Sequence, residues 1–344
     1  MLADEWGCMP TLSATLPDVP TALPEIRGLE NLWAHYTGRP QAVPMHDRQP
    51  RLLLDVLGLG LEQTITRLGN DRPDWPAFQD WVVATAGPPD PLKIARYHAW
   101  LDGVPPPEAV RRRLQAIADA APVLDASDLA HWDSEGYVIL RHAITAAEAK
   151  AAEELLWRTI GATPDNPESW YGPRTNGIMI QLFQDPALDA ARHAPRVHKA
   201  FAQLWETEDL WALVDRMSFN PPIQPGYRFQ GPHLHWDDSI AAPIPFATQG
   251  ILYLTDTSAE QGALRVVPGF HRRLASWLGE IGDADPRRVD LNNEAKPIAA
   301  GAGDLIIWRN DLPHGASPNI SDRPRMAQYV TMYSADLLNN PVWL

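Results

Sequence analysis

Two histidines and two carboxylates fall within six positions in Gly231-Pro232-His233-Leu234-His235-Trp236-Asp237-Asp238-Ser239. Imidazole and carboxylate are the ligand types for a borderline divalent metal, and the His-x-Asp spacing puts His235 and Asp237 on one side of an extended chain. We read these two as ligands of an iron centre. The third ligand should come from far away in sequence, and His314, in Asp311-Leu312-Pro313-His314-Gly315, is the candidate. Two His and one carboxylate on one face of an octahedron leave three positions open, which suits non-haem Fe(II) that must take both a cosubstrate and O2. A closed structural zinc site would want more His or Cys, and Cys8 is far off in sequence. Downstream of His314, Arg325 falls in a predicted strand where a guanidinium could hold a dicarboxylate by a bidentate fork; Arg323, before Pro324, falls in the turn.

The elements that must position these residues follow from composition and period. The chain has 344 residues and is 45% hydrophobic, which suits a globular protein with a substantial core. A net charge of −14 argues against a nucleic-acid groove and offers no basic face to anionic lipid. No apolar run reaches membrane-spanning length. The single cysteine excludes an intramolecular disulfide framework, and the acidic start lacks the features of a signal peptide, so a cytoplasmic protein acting on a small molecule is expected. Oligomeric state is left open.

Thirty-four prolines punctuate the chain into short elements. Residues 1 to about 50 read as a Pro-rich arm with a short helix near Asn31–Tyr36. Helical periods then follow over Arg51–Leu68, Pro76–Ala86, Pro91–Leu101 and Pro107–Ala120. A boundary at Pro122–Asp125 separates a helical, Pro-rich region, 1–124, from a second region, 125–344. There, Gly136–Leu140 reads as a strand, and Thr145-Ala146-Ala147-Glu148 has capping-box spacing for a helix running to Ile160. Ile178–Phe183 is a further strand candidate and Val197–Trp211 is helical. From Leu213 the period becomes two, with strands expected over Val214–Asn220, Arg228–His235, Thr248–Asp256, Leu264–Val267, Asp304–Trp308 and Ala327–Tyr333. Many short strands with helices gathered ahead of them make an α+β jelly roll. The insert Arg272–Pro297 holds a helix at Leu274–Ile281.

The ordered series resembles the phytanoyl-CoA dioxygenase family of Fe(II)/2-oxoglutarate oxygenases. It comprises Gly136-Tyr137-Val138-Ile139-Leu140 before a capped helix, His235-Trp236-Asp237, Gly262-Ala263-Leu264-Arg265-Val266-Val267-Pro268-Gly269-Phe270-His271, Gly303-Asp304-Leu305-Ile306-Ile307-Trp308, His314-Gly315 and the Arg325 region. It spans roughly residues 125 to 338. The resemblance implies a double-stranded β-helix (cupin-like) core with flanking helices and iron held by His235, Asp237 and His314. It also implies 2-oxoglutarate chelating that iron, with Arg325 on its distal carboxylate. His233, on the same inward face, and Tyr253, on the next strand, are candidates to hydrogen-bond the cosubstrate. Ala316 stands where many members carry Ser, with Ser317 next. Related halogenases lack the metal carboxylate; Asp237 is present, so hydroxylation or another C–H oxidation, yielding succinate and CO2, is the implied outcome.

Two other readings share these residues. His233-Leu234-His235-Trp236-Asp237-Asp238 nearly spells the His-x-His-x-Asp-His run of dinuclear metallo-hydrolases, with Asp238 in place of the final His. A barrel that binds 2-oxoglutarate without turnover is the second. The helical region and the Arg272–Pro297 insert are the expected substrate walls, with the helices capping the open end of the barrel.

Overall fold

A computed structural model describes residues 23–172, 177–337 and 339–344. Of the arm expected at the N-terminus, residues 1–22, with Cys8, lie outside the described residues. Helices α1 (Leu29–Thr37), α2 (Gln49–Leu57), α3 (Leu61–Asp71), α4 (Trp75–Ala86), α5 (Pro91–Leu101) and α6 (Glu108–Asp119) come first. The repeat from Arg51 to Leu68 reads as one helix in sequence but is broken into α2 and α3. Gly58 takes the left-handed conformation (φ 71°) and its N–H turns back onto the last carbonyls of α2. Asp74 and Asp90 cap α4 and α5 through their side chains.

Next come α7 (Ala126–Glu135), β1 (Tyr137–Leu140) and α8 (Ala146–Ile160). The expected capping box opens α8: Glu148 N–H donates to Thr145 Oγ1 at 3.2 Å and Thr145 N–H to Glu148 Oε2 at 2.8 Å. The chain continues through β2 (Met179–Ile180), α9 (Pro186–Arg192), α10 (Pro195–Trp205), β3 (Leu210–Ala212), β4 (Met217–Asn220), β5 (Thr248–Tyr253) and β6 (Leu264–Val266). It ends with α11 (Leu274–Ile281), β7 (Lys296–Pro297), β8 (Leu305–Arg309), β9 (His314–Ala316), β10 (Arg325–Tyr329) and β11 (Met332–Ser334). No helix is long and apolar enough to cross a membrane among the described residues.

The strands make an antiparallel sheet in the order β1-β8-β5-β10-β4-β2, a second in the order β7-β6-β9, and a β11-β3 pair. Side-chain alternation gives the large sheet two apolar faces. Leu252, Leu305, Ile307, Met326, Met217 and Phe219 face α8, α9 and α10. Ile251, Tyr253, Ile306, Trp308 and Ala327 face the second sheet and pack on Leu264, Val266 and Ile298. The result is an α+β jelly roll. Tyr253 ties the sheets together, donating to Ile298 O at 3.1 Å and accepting from Leu264 N–H at 2.8 Å.

Other segments also depart from the sequence expectation. Ala327–Tyr333, expected as one strand, is divided between β10 and β11, which join different sheets. Trp211 lies in β3, since α10 ends at Trp205, where Glu206 takes a left-handed conformation. Arg228–His235 is not a strand: Pro232 has no N–H to donate, and the segment contributes one isolated bridge, His235 to His314.

The N-terminal helices build their own core from Leu32, Leu52, Leu53, Phe78 and Tyr97, and that core continues onto Trp211 of β3 and Tyr333 of β11. Fully burying each such side chain stabilises by roughly 2 kcal/mol. Asp55 of α2 is buried at this seam, accepting from Tyr333 Oη–H at 2.6 Å and Val214 N–H at 3.4 Å. Burial pushes its carboxyl up to about 6, against the opposing pull of Arg51 and the Tyr333 hydroxyl. The native state therefore keeps a proton that the unfolded chain releases near pH 4, so this group favours folding at low pH and the benefit fades as pH rises toward 6. Urea unfolding between pH 4 and 7 is expected to show the stability difference, wild type minus Asp55→Asn, falling by up to about 3 kcal/mol across that window.

Candidate metal centre

The bridge between His235 and His314 brings the two histidines together. His235 N–H donates to His314 O and His314 N–H to His235 O, each at 3.0 Å. On its other side His314 pairs with Val266 of β6, so the second sheet carries one histidine and lends one rung to the segment carrying the other. A Cβ on Gly315 would lie 2.6 Å from His233 O and 3.0 Å from Pro232 O; only glycine lets the two backbones approach this closely. Each ring turns its Nδ1 to the carbonyl two residues earlier: His235 to His233 O at 2.7 Å, His314 to Leu312 O at 3.1 Å. In the tautomer that satisfies those carbonyls, both Nε2 lone pairs are left for a metal.

Asp237 completes the set. Its Oδ1 lies 3.2 Å from His235 Nε2 and its Oδ2 lies 3.2 Å from His314 Nε2. One donor atom from each of the three residues falls within 4.8 Å of the others; among the described residues this is the group of His, Cys, Asp and Glu able to hold an ion. Burial raises the Asp237 carboxyl, but the bonds from His235 and His314 outweigh it and hold the group far below the usual carboxylate range. Burial likewise opposes charge on His235, and Asp237 outweighs it, leaving that ring above its ordinary value. Gln249 of β5 donates its side-chain N–H to Asp237 Oδ2 and accepts from Trp308 Nε1–H at 3.0 Å, so the carboxylate is braced from the large sheet.

The cavity in front of these donors is walled by Gln249 and Ile251 of β5, Trp308 of β8, and Arg325 and Tyr329 of β10, followed by Thr331. Asp215 and Arg216, between β3 and β4, close another side. Arg325 is 1% exposed; its Nε–H donates to Gly262 O at 3.2 Å, while Nη1 is buried without a partner among the described residues. A buried guanidinium with an unused donor is costly unless a ligand supplies the acceptor, and a carboxylate fits its fork.

Of the residues singled out in sequence, the structure brings His235, Asp237, His314 and Arg325 to one cavity. Arg323 is exposed and borders a different depression beside Lys150 and Trp170. His233 and Tyr253 do not line the cavity. With no regular strand at 228–235, alternation fails and the His233 side chain turns out to solvent, while its carbonyl orients His235. Tyr253 spends its hydroxyl on the tie between the sheets. The Arg272–Pro297 insert contributes nothing to the cavity wall; its helix α11 packs instead behind the ligand segment, where Trp277 meets Trp236 and Phe270. Sequence reasoning missed Asp215, Arg216, Gln249, Tyr329 and Thr331. For the last two a signal existed, since positions 329 and 331 share the face of Arg325 at the two-residue period.

Non-haem Fe(II) oxygenases that take a chelating 2-oxo acid are the class defined by such a donor set opening toward a buried arginine. The residues fit both groups. The chain belongs to the phytanoyl-CoA dioxygenase (PhyH) family, whose model matches residues 102–327. It is 28% identical over 215 residues to dioxygenase af480 of Aspergillus fumigatus, covering 60% of this chain and 65% of that protein, so it spans just under two thirds of that relative's length. Over 251 residues it is 24% identical to ectoine dioxygenase of Bordetella bronchiseptica, covering 64% of this chain and 79% of that one. Among solved structures, EvdO2 of Micromonospora carbonacea var. aurantiaca complexed with 2-oxoglutarate aligns at 19% identity over 65% of this chain and 96% of that one, with a TM-score of 0.46.

Gly315→Ala is expected to force the His235 segment off β9 and weaken metal binding at least about tenfold while leaving the far-UV circular dichroism unchanged. Titration with Co(II), followed by its d–d bands, reads that affinity directly.

Proposed function

We propose that the protein is an Fe(II)/2-oxoglutarate-dependent dioxygenase that oxidises a C–H bond of a small molecule, hydroxylation being the simplest outcome, with release of succinate and CO2. The observation that carries this reading is the buried, unpaired Nη1 of Arg325 in the cavity of the three metal donors. His235, Asp237 and His314 would hold the metal, and Arg325 the distal carboxylate of 2-oxoglutarate. Bound iron supplies the capacity to activate O2 for C–H oxidation. The chain's own share is placement: Gln249 braces Asp237, and Trp308 and Ile251 give the cavity an apolar wall. Tyr329, whose hydroxyl makes no hydrogen bond among the described residues, presents a donor to whatever sits beside the metal. Asp237 would fill the coordination position that a halide needs, which favours hydroxylation over halogenation. The ectoine dioxygenase similarity agrees with a small-molecule substrate.

A dinuclear hydrolase is not supported, because the His233 side chain is exposed and Asp238 bonds Asn310 Nδ2 at 3.3 Å outside the donor cluster. The region before residue 125 we take to act as a separate cap on the jelly roll. Glu62 of α3 pairs with Arg216, so the helical region supports a residue of the cavity wall directly.

The deciding experiment is an anaerobic Fe(II) titration with 2-oxoglutarate, followed by the weak visible charge-transfer band of the chelate. The band is expected in wild type and absent in His235→Ala. Arg325→Ala should weaken 2-oxoglutarate binding roughly 10- to 100-fold, the worth of charge-assisted hydrogen bonds. A barrel without turnover would give the band but no succinate, whatever substrate is supplied. Once a succinate-release screen has identified a substrate, Glu62→Ala is expected to raise its KM several-fold and leave the KM for 2-oxoglutarate unchanged.

A further inference from the structure

Asp237 is the most exposed of the three metal donors. Its side chain is 50% exposed against 5% for His314, and it belongs to no regular strand. A carboxylate so placed takes its direction from the backbone around it, and the carbonyls of the residues before and after it are both held by one residue outside the cavity. Arg287 Nη1–H donates to Trp236 O at 2.6 Å and Nη2–H to Asp238 O at 2.7 Å, one carbonyl on each side of Asp237. We propose that Arg287 is a positioning residue for the metal carboxylate, fixing the backbone of Asp237 from behind through a fork that only a guanidinium can supply. This rests on the oxygenase reading above.

The surroundings of Arg287 fit that task. It is presented by a short 3-10 turn, Pro286–Arg288, in which Asp285 Oδ1 accepts the Arg287 N–H at 3.0 Å. Each of its side-chain hydrogen bonds ends on a main-chain oxygen; the other acceptor is Leu344 O, reached by Nε–H at 3.2 Å and Nη2–H at 2.8 Å. Its guanidinium also lies 4.5 Å from the Trp343 ring centroid. The segment carrying Leu344 is itself strapped to the ligand loop: Ser239 Oγ–H donates to Val342 O at 2.6 Å and accepts from Leu344 N–H at 3.1 Å. Trp236, the residue before Asp237, is sunk into the Phe270–Trp277 cluster and donates to Asp311 O at 3.1 Å. Arg287 thus closes a frame whose other side is a packed ring.

A lysine cannot span two carbonyls in this way, because its ammonium is a point donor on a flexible stem. Co(II) titration of Arg287→Ala and Arg287→Lys tests the proposal, with the absorption bands of the bound ion reporting its geometry and thermal unfolding of the metal-free proteins reporting the fold. Loss of an outer partner of a metal ligand typically weakens affinity about 10- to 100-fold. That loss is expected for Arg287→Ala, a smaller one for Arg287→Lys, and altered band positions in both, with the unfolding midpoint of the lysine variant close to wild type. Should the alanine variant fail to fold, the lysine variant decides. Unchanged affinity and unchanged bands in a folded variant would overturn the proposal. Absence of metal binding by the wild type would overturn the oxygenase reading, and with it this one.

Discussion

The site depends on one pair of backbone hydrogen bonds. His235 and His314 are 79 positions apart (314 − 235) and lie on different segments, yet each donates its N–H to the other's carbonyl. That single rung sets the separation of the two rings, and the local carbonyls of His233 and Leu312 set their rotation. One further bond joins the 228–235 segment to the second sheet, Ala316 N–H of β9 donating to Pro232 O at 3.2 Å, so the rung has a single neighbour beside it. Gly315 makes the approach sterically possible. A pair of ordinary backbone bonds and one missing side chain convert a chain of distant histidines into a donor pair.

The jelly roll makes that rung durable. The second sheet holds His314 through β6, and β6 is fastened to the large sheet by the Tyr253 hydroxyl. The large sheet in turn braces Asp237 through Gln249 and presents Arg325 from the middle of its strand order. Its opposite face is covered by α8, α9 and α10, and the helices of residues 29–119 share a core with β3 and β11. The metal donors are therefore mounted on the second sheet and its margin, and the cavity's floor on the first.

Much of this was legible in the sequence, and the failures have physical causes. The capping box of Thr145 and Glu148, the span of α5 and the helix in the insert all lie where local chemistry puts them, because caps and apolar periods act within a few residues. The three donors could be chosen from residue type and order, since few side chains can do that chemistry, whereas the preference for Arg325 over Arg323 draws on the family resemblance. Placement of His233 and Tyr253 could not: one depends on whether a proline-containing segment joins a ladder, the other on what a hydroxyl meets across the core. Gln249, Asp215 and Arg216 carry no motif, and only the tertiary arrangement turns them toward the cavity. The insert reads as a substrate wall because such loops vary while the barrel holds the metal; its Trp277 and Arg287 pack against the back of the ligand loop.

Strand β10 offers a last consequence. Arg325, Tyr329 and Thr331 lie along one inward-facing row that borders the cavity. Same-face positions on a strand step by about 7 Å, so Arg325 and Tyr329 stand roughly 13 Å apart along it. On the oxygenase reading, one end of the row anchors the invariant partner of the reaction and the other meets the variable one. Descendants of this chain could then diverge in what they oxidise by drift at the 329 and 331 end, without relearning how to hold the molecule they all consume.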